Sequence, residues 1–219
     1  KTYRSDLGIC LDGDADRVVF VDERGDIVDG DKVIGLLAKL YFDQGMLKKG
    51  DMVVGTVMSN LGLERYIKSL GLKFVRTQVG DRYIVEKMRE LGALIGGEPS
   101  GHIILKPFST TGDGSLAALK MIECMKYYNL SASELLKQVV LYPQEMRNTK
   151  VGKKLPLETV ETIQQKLKWV EGELGEKGRV LLRYSGTEPL ARVMVEGEDR
   201  EQVSQLCEEL ANTVANELA

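Results

Sequence analysis

Met52-Val53-Val54-Gly55-Thr56-Val57, Lys73-Phe74-Val75-Arg76-Thr77 and Ala93-Leu94-Ile95-Gly96 are short apolar runs, and what lies between them decides the fold. Leu61–Leu70 repeats apolar residues at helical intervals and stops at Gly71; Arg82–Leu91 does the same and stops at Gly92. Strands alternating with helices predict a parallel α/β sheet, because parallel neighbours need a crossover between them. Working outward, Val33, Leu36, Leu37 and Leu40 place a helix ahead of the first run. Ile103–Leu105 reads as a further strand, followed by helices Gly114–Tyr128 and Ser131–Val140, the second opened by a capping box from Ser131 to Glu134. Together these make an α/β domain over residues 30–142.

The rhythm changes at Tyr142-Pro143. Strand Met146–Val151, helix Leu157–Val170, strands Arg179–Tyr184 and Ala191–Val195 and a closing helix Arg200–Leu218 predict a small α+β domain with an antiparallel sheet over residues 143–219. At the other end, Asp6–Leu11 and Val18–Val21 read as two strands, followed by the turn Asp22–Gly25 and a short extension to Val28. A hairpin of this size does not stand alone. With a first strand that begins in mid-architecture, the lack of a starting Met fits a fragment.

With 219 residues, 43% of them hydrophobic and 29% charged, the chain can bury a substantial core. A formal net charge of −3 gives no general attraction to nucleic acid or to an anionic membrane, so a bound anion must meet a local basic site. No stretch approaches a membrane span in length, and Lys1–Asp6 carries no signal segment. Cys10, Cys124 and Cys207 lie far apart in apolar surroundings, which predicts buried, reduced thiols in a cytoplasmic protein.

The connections carry the chemistry. Asp12, Asp14 and Asp16 alternate along the hairpin loop, and like charges so close call for a hard divalent cation, with Mg²⁺ the best match. Arg17 follows them, able to neutralise the loop or to bind an anion on the metal. An EF-hand would need glycine where Arg17 stands, and helices on both sides. An aspartyl phosphatase and a merely solvated turn remain open alternatives. The second loop, Gly97–His102, follows a strand of the parallel sheet, where open α/β sheets bind ligands. Its Glu98 suits a pair of sugar hydroxyls, Ser100 adds a hydrogen bond, and His102 is the one histidine of the chain. In the third loop, Arg183, Ser185, Gly186 and Thr187, with Arg192 beyond it, form a candidate phosphate nest, or else a Ser/Gly/Thr-rich turn. Ser59-Asn60, Gly80-Asp81-Arg82 and Thr110–Asp113 are read first as helix caps.

In this order the acidic loop, Gly96–His102 and Arg183–Pro189 closely resemble the α-D-phosphohexomutase family, over nearly the whole chain. The resemblance implies four domains around one cleft, with residues 1–29 the C-terminal hairpin remnant of the second, another α/β domain, followed by a complete third and fourth. It implies Mg²⁺ on Asp12, Asp14 and Asp16, phosphoryl-charge stabilisation by Arg17, and general acid/base work at His102. Glu98 and Ser100 would read sugar hydroxyls, while Arg183, Ser185, Gly186 and Thr187 would hold the phosphate that does not react. The implied substrate is a phosphorylated hexosamine, glucosamine 6-phosphate converted to glucosamine 1-phosphate through an enzyme phosphoserine and a bound bisphosphate. A phosphomannomutase or phosphoglucomutase fragment and a non-catalytic phosphosugar-binding module are the alternatives. Pro99 stands where related mutases vary. The family's serine motif has no counterpart here, so the fragment is expected to be inactive alone and to need N-terminal domains of the same protein; a second copy, as a homodimer, is a further partner option.

Overall fold

A computed structural model describes residues 2, 4–186 and 188–219. The chain divides into two compact units, Lys1–Leu141 and Tyr142–Ala219.

In the first unit the sheet has the order β5(Lys73–Thr77), β4(Met52–Thr56), β6(Ile95–Gly97), β7(Ile103–Leu105). Strand β4 runs parallel to β5 and β6, as the alternating pattern predicts, while β7 is antiparallel to β6. The sheet is mixed because the five residues 98–102 are too few for a crossover. Helices α2(Leu61–Ser69) and α3(Asp81–Leu91) supply the crossovers. Helix α1(Gly30–Asp43) is apolar nearly all round: Val33, Ile34, Leu36, Leu37, Ala38, Leu40 and Tyr41 are buried. It packs against α2, β6, α4(Gly114–Tyr128) and the short α5(Ala132–Leu136).

The hairpin strands β1(Leu7–Leu11), β2(Val18–Asp22) and β3(Ile27–Val28) form an antiparallel sheet, and Val18, Phe20 and Val28 enter the core built around α1. Strand β1 is only thinly covered: Leu7 packs against that core, but Ile9 and Leu11 are exposed. Cys10 is exposed for the same reason, against the expectation of three buried thiols; Cys124 and Cys207 are buried, and all three are free. Helix α5 keeps its capping box but ends at Leu136, short of the expected Val140. Lys137 and Gln138 turn instead, leaving Val139 buried and laying the Val140 carbonyl where a Cβ on Gly62 would come within 2.1 Å.

Ser133, at the start of α5, donates its N–H (3.1 Å) and its hydroxyl to Glu23 in the β2–β3 turn, 110 residues away. That hydroxyl is the main reason the Glu23 carboxyl is held down at about 2. Its folded value lies below the ordinary 4.5, so the contact stabilises at pH above 4.5 and is lost as pH falls towards 2. Urea titrations from pH 6 to pH 2 should therefore show Glu23→Gln less stable than the parent at pH 6 and indistinguishable from it near pH 2. A difference that does not change with pH would refute the assignment.

In the second unit β8(Gln144–Lys150), β10(Leu190–Gly197) and β9(Gly178–Tyr184) form an antiparallel sheet with β10 central. Helices α6(Glu161–Leu174) and α7(Arg200–Leu218) cover one face, packing on Ala191, Val193, Val195, Val180, Leu182 and Tyr184. The expected helix from Leu157 begins as a 3₁₀ turn, Leu157–Thr159, and becomes α-helical from Glu161, past the β-branched Thr159 and Val160. Alternation puts the partners Arg179 and Glu196, Leu181 and Met194, and Arg183 and Arg192 on the face away from the helices. Among the described residues no helix is long and apolar enough to cross a membrane.

Candidate active site and anion cradle

The acidic loop is closed at its base by the Asp12 N–H bonding the Arg17 carbonyl (3.4 Å), and it turns at Ala15, whose φ is 58°. A left-handed conformation at a non-glycine residue is uncommon and here brings the acids round to one side. Asp12, Asp14 and Asp16 can each offer an oxygen within 4.8 Å of the others. Octahedral oxygens around Mg²⁺ lie about 3 Å apart in cis and about 4 Å in trans, so a modest contraction suffices.

Arg17 stands in for a cation. Its Nε is 2.8 Å from Asp12 Oδ2 and 3.4 Å from Asp16 Oδ1, and its backbone N–H donates to Asp12 Oδ1 at 3.2 Å. Desolvation works against the Asp12 charge, but the Arg17 N–H, the neighbouring Asp16 and the guanidinium outweigh it, holding that carboxyl below its usual value. Asp12 in turn raises Arg17. An acidic set that recruits a positive charge from its own chain fits a divalent cation.

The second loop lies directly against the first. Arg17 and His102 form an antiparallel backbone bridge, and the Val18 N–H donates to the Gly101 carbonyl at 3.1 Å. Gly101, at φ 93°, is required: a Cβ there would stand 2.1 Å from the Val18 carbonyl oxygen. Glu98 has one oxygen, Oε1, held by the Gly80 N–H at 2.9 Å, while the Ser100 hydroxyl approaches Oε2 at 3.4 Å. Its side chain borders a shallow pocket of Thr56, Met58, Val79, Pro99 and Ser100, beyond the carboxyl end of β4. His102 is buried at 4% exposure, with Nδ1 3.2 Å from Asp16 Oδ2.

Of the residues expected to cap helices, Asn60 and Asp113 do so, bonding Gly62 N (2.8 Å) and Leu116 N (2.9 Å). At α3 the cap is Gly80, with no side-chain bond, and Arg82 is paired with Glu86 in solvent. Sequence reading took Gly80 and Gly112 only as parts of helix caps and did not single out Gly114. Gly80 fixes Glu98, Gly112 lies against the His102 ring, and the Gly114 N–H at the start of α4 donates to the Ala15 carbonyl (2.8 Å). That last bond ties the acidic loop to the start of α4. The glycines flanking Asp113 were the available signal of close approach.

In the second unit, Arg183 and Arg192 are direct cross-strand partners. Like charges opposite each other destabilise a sheet. Desolvation, and then Arg192, lowers Arg183. Arg192 Nη2 reaches Ser185 Oγ at 3.4 Å and Glu188 Oε2 at 3.2 Å, while its Nε is buried without a partner among the described residues. Ser185 is buried and also accepts from the Glu188 N–H (3.3 Å); Gly186 is exposed. Thr187 lies outside the described residues. Lys154, which sequence reading did not single out, donates to the Ser185 carbonyl at 3.1 Å. A cluster this rich in cationic donors is suited to an anion with several oxygens.

Comparison with known proteins gives both units counterparts among sugar-phosphate mutases. Residues 29–142 match the family described as phosphoglucomutase/phosphomannomutase, alpha/beta/alpha domain III, and residues 146–213 match its C-terminal domain; the chain belongs to this phosphohexomutase family. Within it, the phosphoglucosamine mutase of Nitratidesulfovibrio vulgaris strain DP4 is 51% identical over 218 residues, covering 100% of this chain and 48% of the relative. That of Rhizobium meliloti strain 1021 is 49% identical, covering 96% and 46%. The chain thus spans about half the length of the curated relatives it matches. A solved Aspergillus fumigatus N-acetylphosphoglucosamine mutase, in complex with GlcNAc-6P and magnesium, shares the fold with a TM-score of 0.78 at 23% identity, covering 96% of this chain and 49% of that one.

Proposed function

We propose that this chain is the C-terminal part of a phosphoglucosamine mutase, interconverting glucosamine 6-phosphate and glucosamine 1-phosphate for amino-sugar nucleotide synthesis in the cytoplasm. The observation that carries the reading is the Arg17–His102 bridge, which joins a cation-seeking loop to a hydroxyl-reading loop across 85 residues of sequence. Residues 1–29 are the end of a second domain, 30–142 a third and 143–219 a fourth; a phosphoserine is supplied by the N-terminal half. The identity to phosphoglucosamine mutases favours the hexosamine over the mannose and glucose branches.

Asp12, Asp14 and Asp16 would hold Mg²⁺, which supplies positive charge to the transferring phosphoryl group. Arg17, whose guanidinium lies beside Asp12 and Asp16, would add a charged donor to the same phosphoryl group. Glu98, oriented by Gly80, accepts from neighbouring sugar hydroxyls, and Ser100 adds a donor. In the other unit Arg183, Ser185, Gly186, Thr187 and Arg192 would hold the phosphate that does not react, in ground state and transition state alike.

The test compares this chain with the protein extended by an N-terminal half. The extended protein, primed with a hexose 1,6-bisphosphate, should convert glucosamine 6-phosphate in a Mg²⁺-dependent manner, faster than it converts the mannose or glucose phosphates. This chain alone should show no turnover. Conversion by the chain alone, or a preference for mannose phosphate, would refute the reading.

A further inference from the structure

We propose that His102 is a positioning residue for the acidic loop: its Nδ1–H donates to Asp16 and sets the direction in which that carboxylate meets a divalent cation. This rests on the Mg²⁺ assignment above and departs from the proton-transfer role that the family resemblance implies.

The ring is enclosed on the sides that matter. His102 is 4% exposed, and Nε2 is buried without a hydrogen-bond partner among the described residues. A Cβ on Gly112 would stand 2.3 Å from Cε1 and 2.6 Å from each ring nitrogen, so Gly112 is there to let the backbone lie on the imidazole. An ionised carboxylate only accepts, so the 3.2 Å contact with Asp16 Oδ2 assigns the proton to Nδ1. That proton is already used, and Nε2 is buried, so in this conformation it offers no exposed atom to a sugar hydroxyl. A general acid or base has to come within hydrogen-bond reach of the group it serves.

The main chain of the same residue is fixed as well. Its carbonyl accepts from the Glu98 N–H at 2.9 Å, and its backbone pairs with Arg17. With His102 on Oδ2 and Arg17 Nε at 3.4 Å from Oδ1, each oxygen of Asp16 has a donor. Hydrogen bonds from outside the ligand shell orient metal ligands in this way, and their loss costs about 10- to 100-fold in metal affinity. His102 thereby couples the turn that reads the sugar to the loop that holds the metal.

Asparagine carries an amide N–H where histidine has Nδ1, whereas glutamine carries it near Nε2. Mn²⁺ binding to this chain, followed by electron paramagnetic resonance, is measured for the parent, His102→Asn, His102→Gln and Gly112→Ala, with folding checked by circular dichroism. Turnover is followed in the extended protein. We expect His102→Gln to weaken Mn²⁺ binding about 10- to 100-fold. Gly112→Ala, which pushes the ring off Asp16, should act in the same direction, and His102→Asn should recover most of the affinity and turn over faster than His102→Gln. Unchanged Mn²⁺ affinity in His102→Gln, with turnover lost equally in Asn and Gln variants, would overturn the proposal in favour of proton transfer. Failure of the parent chain to bind Mn²⁺ would instead sink the metal assignment.

Discussion

Glu196→Ala should lower the stability of the second unit by about 3–5 kcal/mol, the range for breaking a buried ion pair from one side. Glu196 is fully buried, and its partner across the β9–β10 ladder is Arg179, whose side chain is 20% exposed. Alanine removes the carboxylate but leaves a guanidinium that cannot discharge, since arginine stays protonated at any accessible pH. Arg179 can reach some water, which places the loss near the lower end of the range. Glu196→Gln keeps an acceptor and removes the charge, so it should fall between the parent and alanine. Replacing both partners with apolar residues, as in Arg179→Met with Glu196→Leu, should recover much of the loss, because the desolvation cost of both charges disappears with them. Urea denaturation of the four proteins checks this, read as shifts in midpoint at constant slope. A cost below about 1 kcal/mol for Glu196→Ala, the level of an exposed pair, would show that the partner is hydrated in the folded state.

The periodic features of this chain were legible from sequence because they are local. Strand and helix alternation from Met52 to Gly97, the caps at Asn60 and Asp113, and the capping box at Ser131 each depend on residues a few positions apart. The antiparallel β7 was legible only through the shortness of the loop before it. Contacts across long separations left no such trace. Glu23 and Ser133 meet 110 residues apart, and Cys10 sits in an apolar stretch yet is exposed. The site residues were named from their chemistry, but their relations were not. His102 against Asp16, with Gly112 over its ring, follows from how α4 begins beside the hairpin, which no local pattern states. Lys154 has no motif around it and enters the cradle only because the chain after β8 passes Ser185.

Arg183→Met should do opposite things to stability and to binding. The register sets Arg183 against Arg192, and the depressed Arg183 value means that folding disfavours its charge. Removing one of two facing like charges is worth about 0.2–1 kcal/mol of added stability when no anion is present, on the scale of cross-strand pairs. The same substitution removes a charged donor from a bound phosphate, worth about 1.5–3 kcal/mol, or about 10- to 150-fold in affinity. The parent chain should therefore gain markedly in thermal stability on adding glucosamine 6-phosphate. Arg183→Met should start higher and gain little. In the extended protein the grip on the unreacting phosphate acts on ground state and transition state alike, so KM should rise more than kcat falls. Calorimetric titration with glucosamine 6-phosphate, together with melting curves in its presence and absence, separates the effects. If Arg183→Met melts lower than the parent in ligand-free buffer and keeps the full ligand-induced gain, the arginine pair is structural and the anion is held elsewhere. If the two trends cross as argued, the repulsion between Arg183 and Arg192 is a standing cost of folding that a bound phosphate relieves, and the cradle is built for its ligand at the expense of the unliganded sheet.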